Sequence, residues 1–309
     1  MHSMKHLTYL ERIQLTATVN NMIHIVTHIL PQEIDQLEQL LVHLKKSSVH
    51  VDRGDYMVEV VLNTELTDWK NSKLDKEFFV SKFRYLQQLT DSWCETNFEI
   101  SDGTILGCND IRRRALRTSK ADHLMYLDAD NIFSETLLFT IKEYCKVLNQ
   151  EDSYDLIVPQ TTRMWDTTWD IITGEEYFNE EASHENYFNR DPYTVIAPKD
   201  GTTLKPINSF KFAGWGTVIP VKLRKILDIP DTLGSYGLDD TFVMMTCDIL
   251  KTKGYKIMQW VIHGETIIEN NKFRYNPYKD YLCTVDRREE FLLQAHSNFN
   301  QELTKYINL

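Results

Sequence analysis

Leu124 to Asn131 reads LMYLDADN: a buried-strand pattern running into two aspartates, Asp128 and Asp130, one residue apart. A strand of an open α/β sheet delivers the residues after it to the sheet's rim, and ligands bind in the crevice outside the carboxyl ends of such strands. Two carboxylates at that rim suit Mg2+ or Mn2+, which keep positions open for substrate phosphates. Alone, a D-x-D pair is more often an ordinary polar turn. The rest of the chain decides its meaning.

Upstream, Met22 to Leu30 (MIHIVTHIL) has the β-branched, apolar make-up of a first strand. Pro31 ends it and can open a helix, since its missing N–H is not needed in a first turn. Ile34, Leu37, Leu41 and Leu44 then recur at helical spacing. Met57 to Leu62 (MVEVVL) predicts a second strand ending at Asn63. A partly helical aromatic stretch with Trp69, Phe78, Phe79, Phe83 and Tyr85 leads to a short third strand, Phe98 to Ile100, closed by the turn Ser101-Asp102-Gly103. Gly107 to Ser119 predicts a helix before Leu124 to Leu127. This alternation predicts an α/β fold with a mostly parallel, Rossmann-like sheet flanked by helices.

Downstream, Ser134 is placed to cap a helix carrying Leu137, Leu138, Ile141, Cys145 and Leu148. Leu156 to Val158 reads as a strand stopped by Pro159. From Trp165 to Pro206 the pattern dissolves into an acidic, aromatic insertion, and a segment that long without regular pattern is usually functional. Regular structure returns at Phe210 to Val221, where Gly214 and Gly216 flank Trp215. Asp239 to Lys253 predicts a helix stopped by Gly254. Lys256 to Ile262 predicts a strand that delivers His263, and Arg287 to Leu309 a closing helix.

At 309 residues the chain can bury a full core. Its formal charge of -11 excludes general attraction to nucleic acid. Arg112, Arg113, Arg114 and Arg117 form the only dense basic run, which in an acidic protein points to one specific anion. Five widely spaced cysteines without a C-x-x-C pair argue for reduced thiols in a cytoplasmic setting. No run approaches the ~18 apolar residues of a membrane span, and no signal pattern opens the chain, which leaves peripheral association as the one membrane role.

A second constellation is Tyr236 to Phe242, YGLDDTF, at a predicted helix start. Carboxylates in a first turn meet unpaired N–H groups and the positive end of the helix dipole, which favours the ionised form a general base requires. Plain capping by Asp239 is the simpler reading of the pattern. His263 could ligate a metal through neutral imidazole, although most histidines so placed, like His24 and His28, are structural. Trp215 suits either a sugar face or the core. THILPQE after the first strand contains no glycine, which excludes a dinucleotide fingerprint and a P-loop. Phosphate charge then falls to a metal or to arginine.

Taken together, the parts resemble the GT-A glycosyltransferases, most closely those of family 2, from about Ile23 to His263. Gly107, Ile111, Arg112 and Asp128 match, without a gap, that family's glycine-led helix and D-x-D strand end. Asp239 and Asp240 match its later E-D pair, Gly254 to Ile257 its G-Y-K-I-like stretch, and His263 the histidine closing its metal site. The resemblance implies a single GT-A domain over 1–309, with a nucleotide-binding half at about 20–160, an acceptor and catalytic half at about 161–286, and a C-terminal helix at 287–309.

The resemblance further implies Mn2+ or Mg2+ on Asp130, Asp128 and His263, with Asp128 also near ribose. It makes Asp240 the base beside Asp239, and it sets Thr27, Asn63, Arg112, Asp128 and Trp215 around the nucleotide-sugar donor. That donor is a UDP-sugar ahead of a GDP-sugar, and the acceptor a hydroxyl of a glycan, glycoconjugate or protein, reached with inversion. Asn63 departs from an aspartate that often holds the base, and Asp239 from a glutamate. A weaker likeness, in D-A-D-N, I-V-P at Ile157 to Pro159 and G-x-G-T-V, is to fungal mannan-type and collagen-type transferases, which keeps a retaining GT-A transferase open. A non-catalytic nucleotide-sugar or glycan-binding module on the same fold is the other alternative. An aspartate-nucleophile phosphatase lacks its following Thr or Val, since Asn131 and Ile132 stand there.

Overall fold

Ile23, Ile25 and Ile29 of β1 (Ile23–Ile29) pack on one layer of helices and Val26 on another. Burial on both faces is the condition of a central parallel strand, and β1 has parallel neighbours on both sides, β2 (Tyr56–Leu62) and β4 (His123–Leu127). The chain here is a computed structural model that describes residues 21–101, 103–148, 151–163, 196, 201–208, 210, 212, 214–269, 278 and 281–309. From β1 it passes through α1 (Ile34–Ser47) to β2, then through α2 (Lys76–Asp91) to β3 (Glu95–Ile100) outside β2. It returns through α3 (Cys108–Thr118) to β4 on the opposite side of β1. The reversal puts the sheet's crevice between the carboxyl ends of β1 and β4, where Asp128 follows β4.

The second half of the sheet is mixed. β5 (Asn131–Phe133) and α4 (Leu137–Leu148) precede β6 (Leu156–Arg163), β7 (Thr203–Ile207) and β8 (Trp215–Pro220), and α5 (Asp239–Thr252) precedes β9 (Gln259–Glu269) and α6 (Arg288–Ile307). The order is β3-β2-β1-β4-β8-β6-β9-β5, with β7 also on β9. β8 runs antiparallel to β4 and β6, whereas β9 is parallel to β6 and antiparallel to β5 and β7. One face is sealed by α1, α2 and α4 through Leu37, Leu44, Phe79, Phe83 and Ile141. The other is sealed by α3 and α5 through Ile111, Leu116, Val243 and Leu250. This architecture bears out the Rossmann-like α/β fold flanked by helices, with the expected parallel pairing in its first half and a mixed second half. Among the described residues no helix is long and apolar enough to cross a membrane.

Several local expectations need correction. β6 does not stop at Pro159: it runs on to Arg163, and the proline sits where the ladder to β9 breaks, a position that tolerates a missing N–H. β9 likewise passes His263 and continues to Glu269. The register jumps from Pro159 opposite Ile262 to Gln160 opposite Thr266, so His263, Gly264 and Glu265 bulge from the ladder. Ser134 does not cap α4; its hydroxyl goes to buried Glu265, which also accepts from Thr136 Oγ1 at 2.6 Å and Thr140 Oγ1 at 3.0 Å. The end of the acidic insertion forms β7, while 164–195 lies outside the described residues.

Candidate active site

α3 organises the site by gripping the loop that leads to α5. Gly107 caps the helix against the backbone of Ser235, and a Cβ there would lie 2.1 Å from the Ser235 carbonyl oxygen. Asp110 accepts from the N–H groups of Leu106 and Gly107 at 2.9 and 3.2 Å, satisfying donors that a helix start leaves open. Asn109 donates its N–H to Ser235 O at 3.1 Å and its side-chain amide to Gly237 O at 3.0 Å. Arg113, buried, donates to the carbonyls of Ile229, Pro230 and Gly234, each at 2.9 Å, and to Asp110 at 3.0 Å.

The loop so held turns left-handed twice before α5. Gly237 has φ 84° and Leu238 φ 58°, and Leu238 is the only non-glycine residue with positive φ among the described residues. That conformation costs a branched side chain energy and persists where the surroundings over-determine it. Leu238 takes the N-cap position without a side-chain cap, so Asp239 begins the helix instead of capping it.

Arg112 joins the two halves of the site. Its Nη1 donates to Asp239 Oδ2 at 2.9 Å and its Nη2 to Asp128 Oδ1 at 3.2 Å. The guanidinium also lies over the ring of Tyr126, 5.8 Å from its centroid. Asp128 is set from the other side by Gly214, whose carbonyl accepts the Asp128 N–H at 2.7 Å. A Cβ on Gly214 would stand 2.1 Å from Asp128 Oδ1, so only glycine permits this approach. The Asp239 side chain is 3% exposed and that of Asp128 41%, which makes Asp128 the member of the triad open to a ligand.

Asp240, next along α5, accepts from the Thr241 N–H at 2.6 Å. Burial, followed by the negative charge of Asp239, raises its carboxyl above the usual range. The expected preference for the ionised form is therefore reversed: desolvation and a like charge outweigh the helix end. A carboxyl raised in this way is a better proton acceptor near neutral pH than an ordinary aspartate.

The arginine run reads differently in three dimensions. Arg114 binds Glu59 and Glu99 at 2.7 and 2.8 Å, and Arg117 binds Asp228 and Asp231 at 2.6 and 3.0 Å. With Arg112 and Arg113, all four meet protein carboxylates or carbonyls, in place of the external anion suggested by their density in sequence. Asn63 is similarly engaged, donating to Leu106 O at 2.9 Å and accepting from Glu65 N at 2.8 Å. Thr27 is buried near the carboxyl end of β1, with no hydrogen-bond partner at its hydroxyl. Trp215 is half-buried at the start of β8, against Val158, Ile207 and Val261.

Asp130 is buried in the turn between β4 and β5. β5 pairs with the far end of β9, Asn131 opposite Glu269, whereas His263 sits six residues earlier, in the bulge opposite Thr203 of β7. Among the described residues no group of three or more His, Cys, Asp or Glu side chains is arranged to hold a metal ion. Asp128 and Asp130 follow the end of β4, and His263 lies in the bulge of β9.

Two residues near the site escaped the sequence reading. Cys108, the first residue of α3, lies within electrostatic reach of Arg112, Asp239, Asp128 and Asp240, and burial pushes its thiol up. Tyr236, in the gripped loop, lies within electrostatic reach of Cys108, Arg288, Asp128 and Arg112, and burial raises its hydroxyl. The Gly-Cys junction at the helix start and the Tyr-Gly step before Leu238 were their only signals.

No family model matches the chain, and no curated protein matches it either. Among solved structures it is similar to residues 1–349 of S. aureus TarS, with 11% identity, a TM-score of 0.48, and coverage of 93% of this chain and 74% of that one. It covers 36% of a longer TarS structure. It is also similar to the mannosyltransferase PcManGT from Pyrobaculum calidifontis in complex with GDP-Man and Mn2+, with 11% identity, a TM-score of 0.48, and coverage of 97% and 78%. TarS 1–349 in complex with UDP-GlcNAc aligns at 11% identity and a TM-score of 0.42, over 78% and 58%. The architecture stands on the chain's own strand order, and these likenesses add nothing about residues or reaction.

Proposed function

We propose that the chain is a glycosyltransferase that moves a sugar from a nucleoside-diphosphate sugar, a UDP-sugar ahead of a GDP-sugar, to an acceptor hydroxyl. The observation that carries this reading is the Arg112 bridge, which draws the end of β4 and the start of α5 into one cleft at the sheet's switch point. Asp128, seated by Arg112, provides the donor side, together with Thr27 near the end of β1. Asp240 provides the acceptor side.

The acceptor oxygen attacks the anomeric carbon from the face opposite the diphosphate. The C–O bond to the diphosphate breaks, its electron pair leaves with the phosphate oxygen, and Asp240 takes the hydroxyl proton, giving inversion without a covalent enzyme intermediate. Asp239 acts through Asp240 and Arg112, because its own carboxylate is buried against the arginine.

The testing experiment is calorimetry with UDP and GDP, followed by transfer assays with the bound nucleotide's sugars. Binding that survives Asp240→Asn while transfer disappears supports the reading. Absence of nucleoside-diphosphate binding sinks it.

A further inference from the structure

We infer that Tyr236 is a sugar-stacking residue, its ring forming the floor of the acceptor subsite with a pyranoside as ligand; the word acceptor rests on the transferase reading above. Tyr236 is 36% exposed, although the loop that carries it is among the most tightly held in the molecule. Gly234 before it is bound by Arg113, Ser235 accepts from the Asn109 N–H, and Gly237 after it accepts from the Asn109 amide. Gly234, Gly237 and Leu238, with φ of 70°, 84° and 58°, fix the direction in which the loop presents the ring. A Cβ on Gly237 would collide with Leu292 of α6 at 2.3 Å, so the loop is wedged from that side as well.

An aromatic ring left half in water on a rigid, strained loop has already met its ordering cost and offers a large flat surface. The ring stands in the field of Asp128, Arg112 and Arg288, and Asp240 follows four residues later at the start of α5. A pyranoside has one apolar C–H face and a hydroxyl edge. Laid on Tyr236, it offers its hydroxyl edge to the charged groups within electrostatic reach of the ring, Asp128 and Arg288 among them. Among the described residues the ring joins none of the core clusters formed by β1, β4 and α5, so its placement is explained by what it presents to a ligand.

The test uses the full chain and saturation-transfer NMR with methyl glucopyranoside, methyl mannopyranoside and methyl N-acetylglucosaminide as probes, alongside calorimetry with UDP and GDP. Tyr236→Ala is expected to weaken binding of at least one glycoside by roughly three- to tenfold, a range typical of a lost aromatic contact, while Tyr236→Phe and Tyr236→Trp retain it. Nucleotide affinity and melting temperature remain those of the parent. Glycoside binding that Tyr236→Ala leaves intact, or a parent chain that binds none of the glycosides, overturns the assignment whether or not nucleotide binds. A Tyr236-dependent glycoside signal without nucleotide binding upholds the stacking residue and refutes the transferase reading instead.

Discussion

Arg112 donates to Asp239 across 127 residues of chain, at 2.9 Å, with both side chains buried. The same guanidinium reaches Asp128, so one side chain neutralises two carboxylates from opposite halves of the fold. Removing the cation strands a buried charge on Asp239, a loss that costs about 3–5 kcal/mol in comparable pairs. Arg112→Ala is expected to lose that much in urea unfolding, and Arg112→Lys most of it, because a point charge cannot fork between two acceptors. The double variant Arg112→Met, Asp239→Asn should recover part of the loss. A cost within ~0.5 kcal/mol for Arg112→Ala, the level of an ordinary surface change, refutes the bridge.

Asp240 makes a prediction of opposite sign. Its raised pKa means that folding favours the protonated carboxyl. Its contribution to stability is complete below the ordinary aspartate value of about 4 and is lost as pH rises through the folded value. Asp240→Asn, neutral throughout, should therefore melt above the parent at neutral pH and level with it in strong acid. If Asp240 is the base, transfer falls by about 10²–10⁴-fold in the same variant. Equal melting of the two proteins at pH 7.5 contradicts the electrostatics, whatever the activity shows.

Gly214→Ala tests the seat of Asp128. The added methyl needs the space that Asp128 Oδ1 occupies, 2.1 Å from the Cβ position. Asp128 must rotate away and give up Arg112 Nη2. The expected outcome is a folded protein with nucleoside-diphosphate affinity reduced at least as far as in Asp128→Ala, read by calorimetry. Unchanged affinity in Gly214→Ala would show that the ligand does not use this aspartate.

Acid sensitivity should come from two histidines, His28 beside Thr27 on β1 and His123 at the start of β4. Burial lowers His28 and His123 to about 4, with Asp110 opposing and Arg112 assisting at His28. Both are neutral when folded, while in the unfolded chain each takes a proton near pH 6.5. Their stability is fully present above that value and is lost as pH falls toward 4. Unfolding free energies between pH 7 and 5 should show a slope approaching two protons from these groups, about 1.4 kcal/mol per pH unit for each. His28→Gln should remove one proton from that slope, and a slope identical to the parent's would place His28 in water.

Strands were legible in the sequence where burial on both faces wrote a continuous apolar run, as in β1, β2 and β4. β3 was read too short because Glu95, Thr96 and Asn97 lie on a sheet edge, where polar residues are tolerated. β5 escaped notice because three residues after a D-x-D turn carry no periodicity. Gly107, Arg112, Asp128 and Asp239 were picked out by the family resemblance, and the fold joins Arg112 to Asp128 and Asp239 and seats Gly107 on the loop before α5. The distant partners of Arg113 and Arg117 were not: Asp228, Asp231 and the carbonyls of Ile229, Pro230 and Gly234 lie over a hundred residues away, and charge density alone cannot tell a ligand from a carbonyl. The expected strand end before His263 was not found, because β9 runs on to Glu269 through its pairing with β5 and β6, which is a tertiary matter.

That pairing also sets a timetable for synthesis. β5 leaves the ribosome about 130 residues before β9, the strand on which it pairs. Until residue 269 emerges, β5 and β7 lack this partner, and β6 has only its single bridge to β8 at Ile157. The parallel half, β1 to β4, can assemble as soon as β4 has emerged. The loop with Tyr236 and Asp240 acquires its grip on α3 afterwards. A nascent chain therefore exposes open strand edges late in translation, the interval in which chaperone engagement matters most.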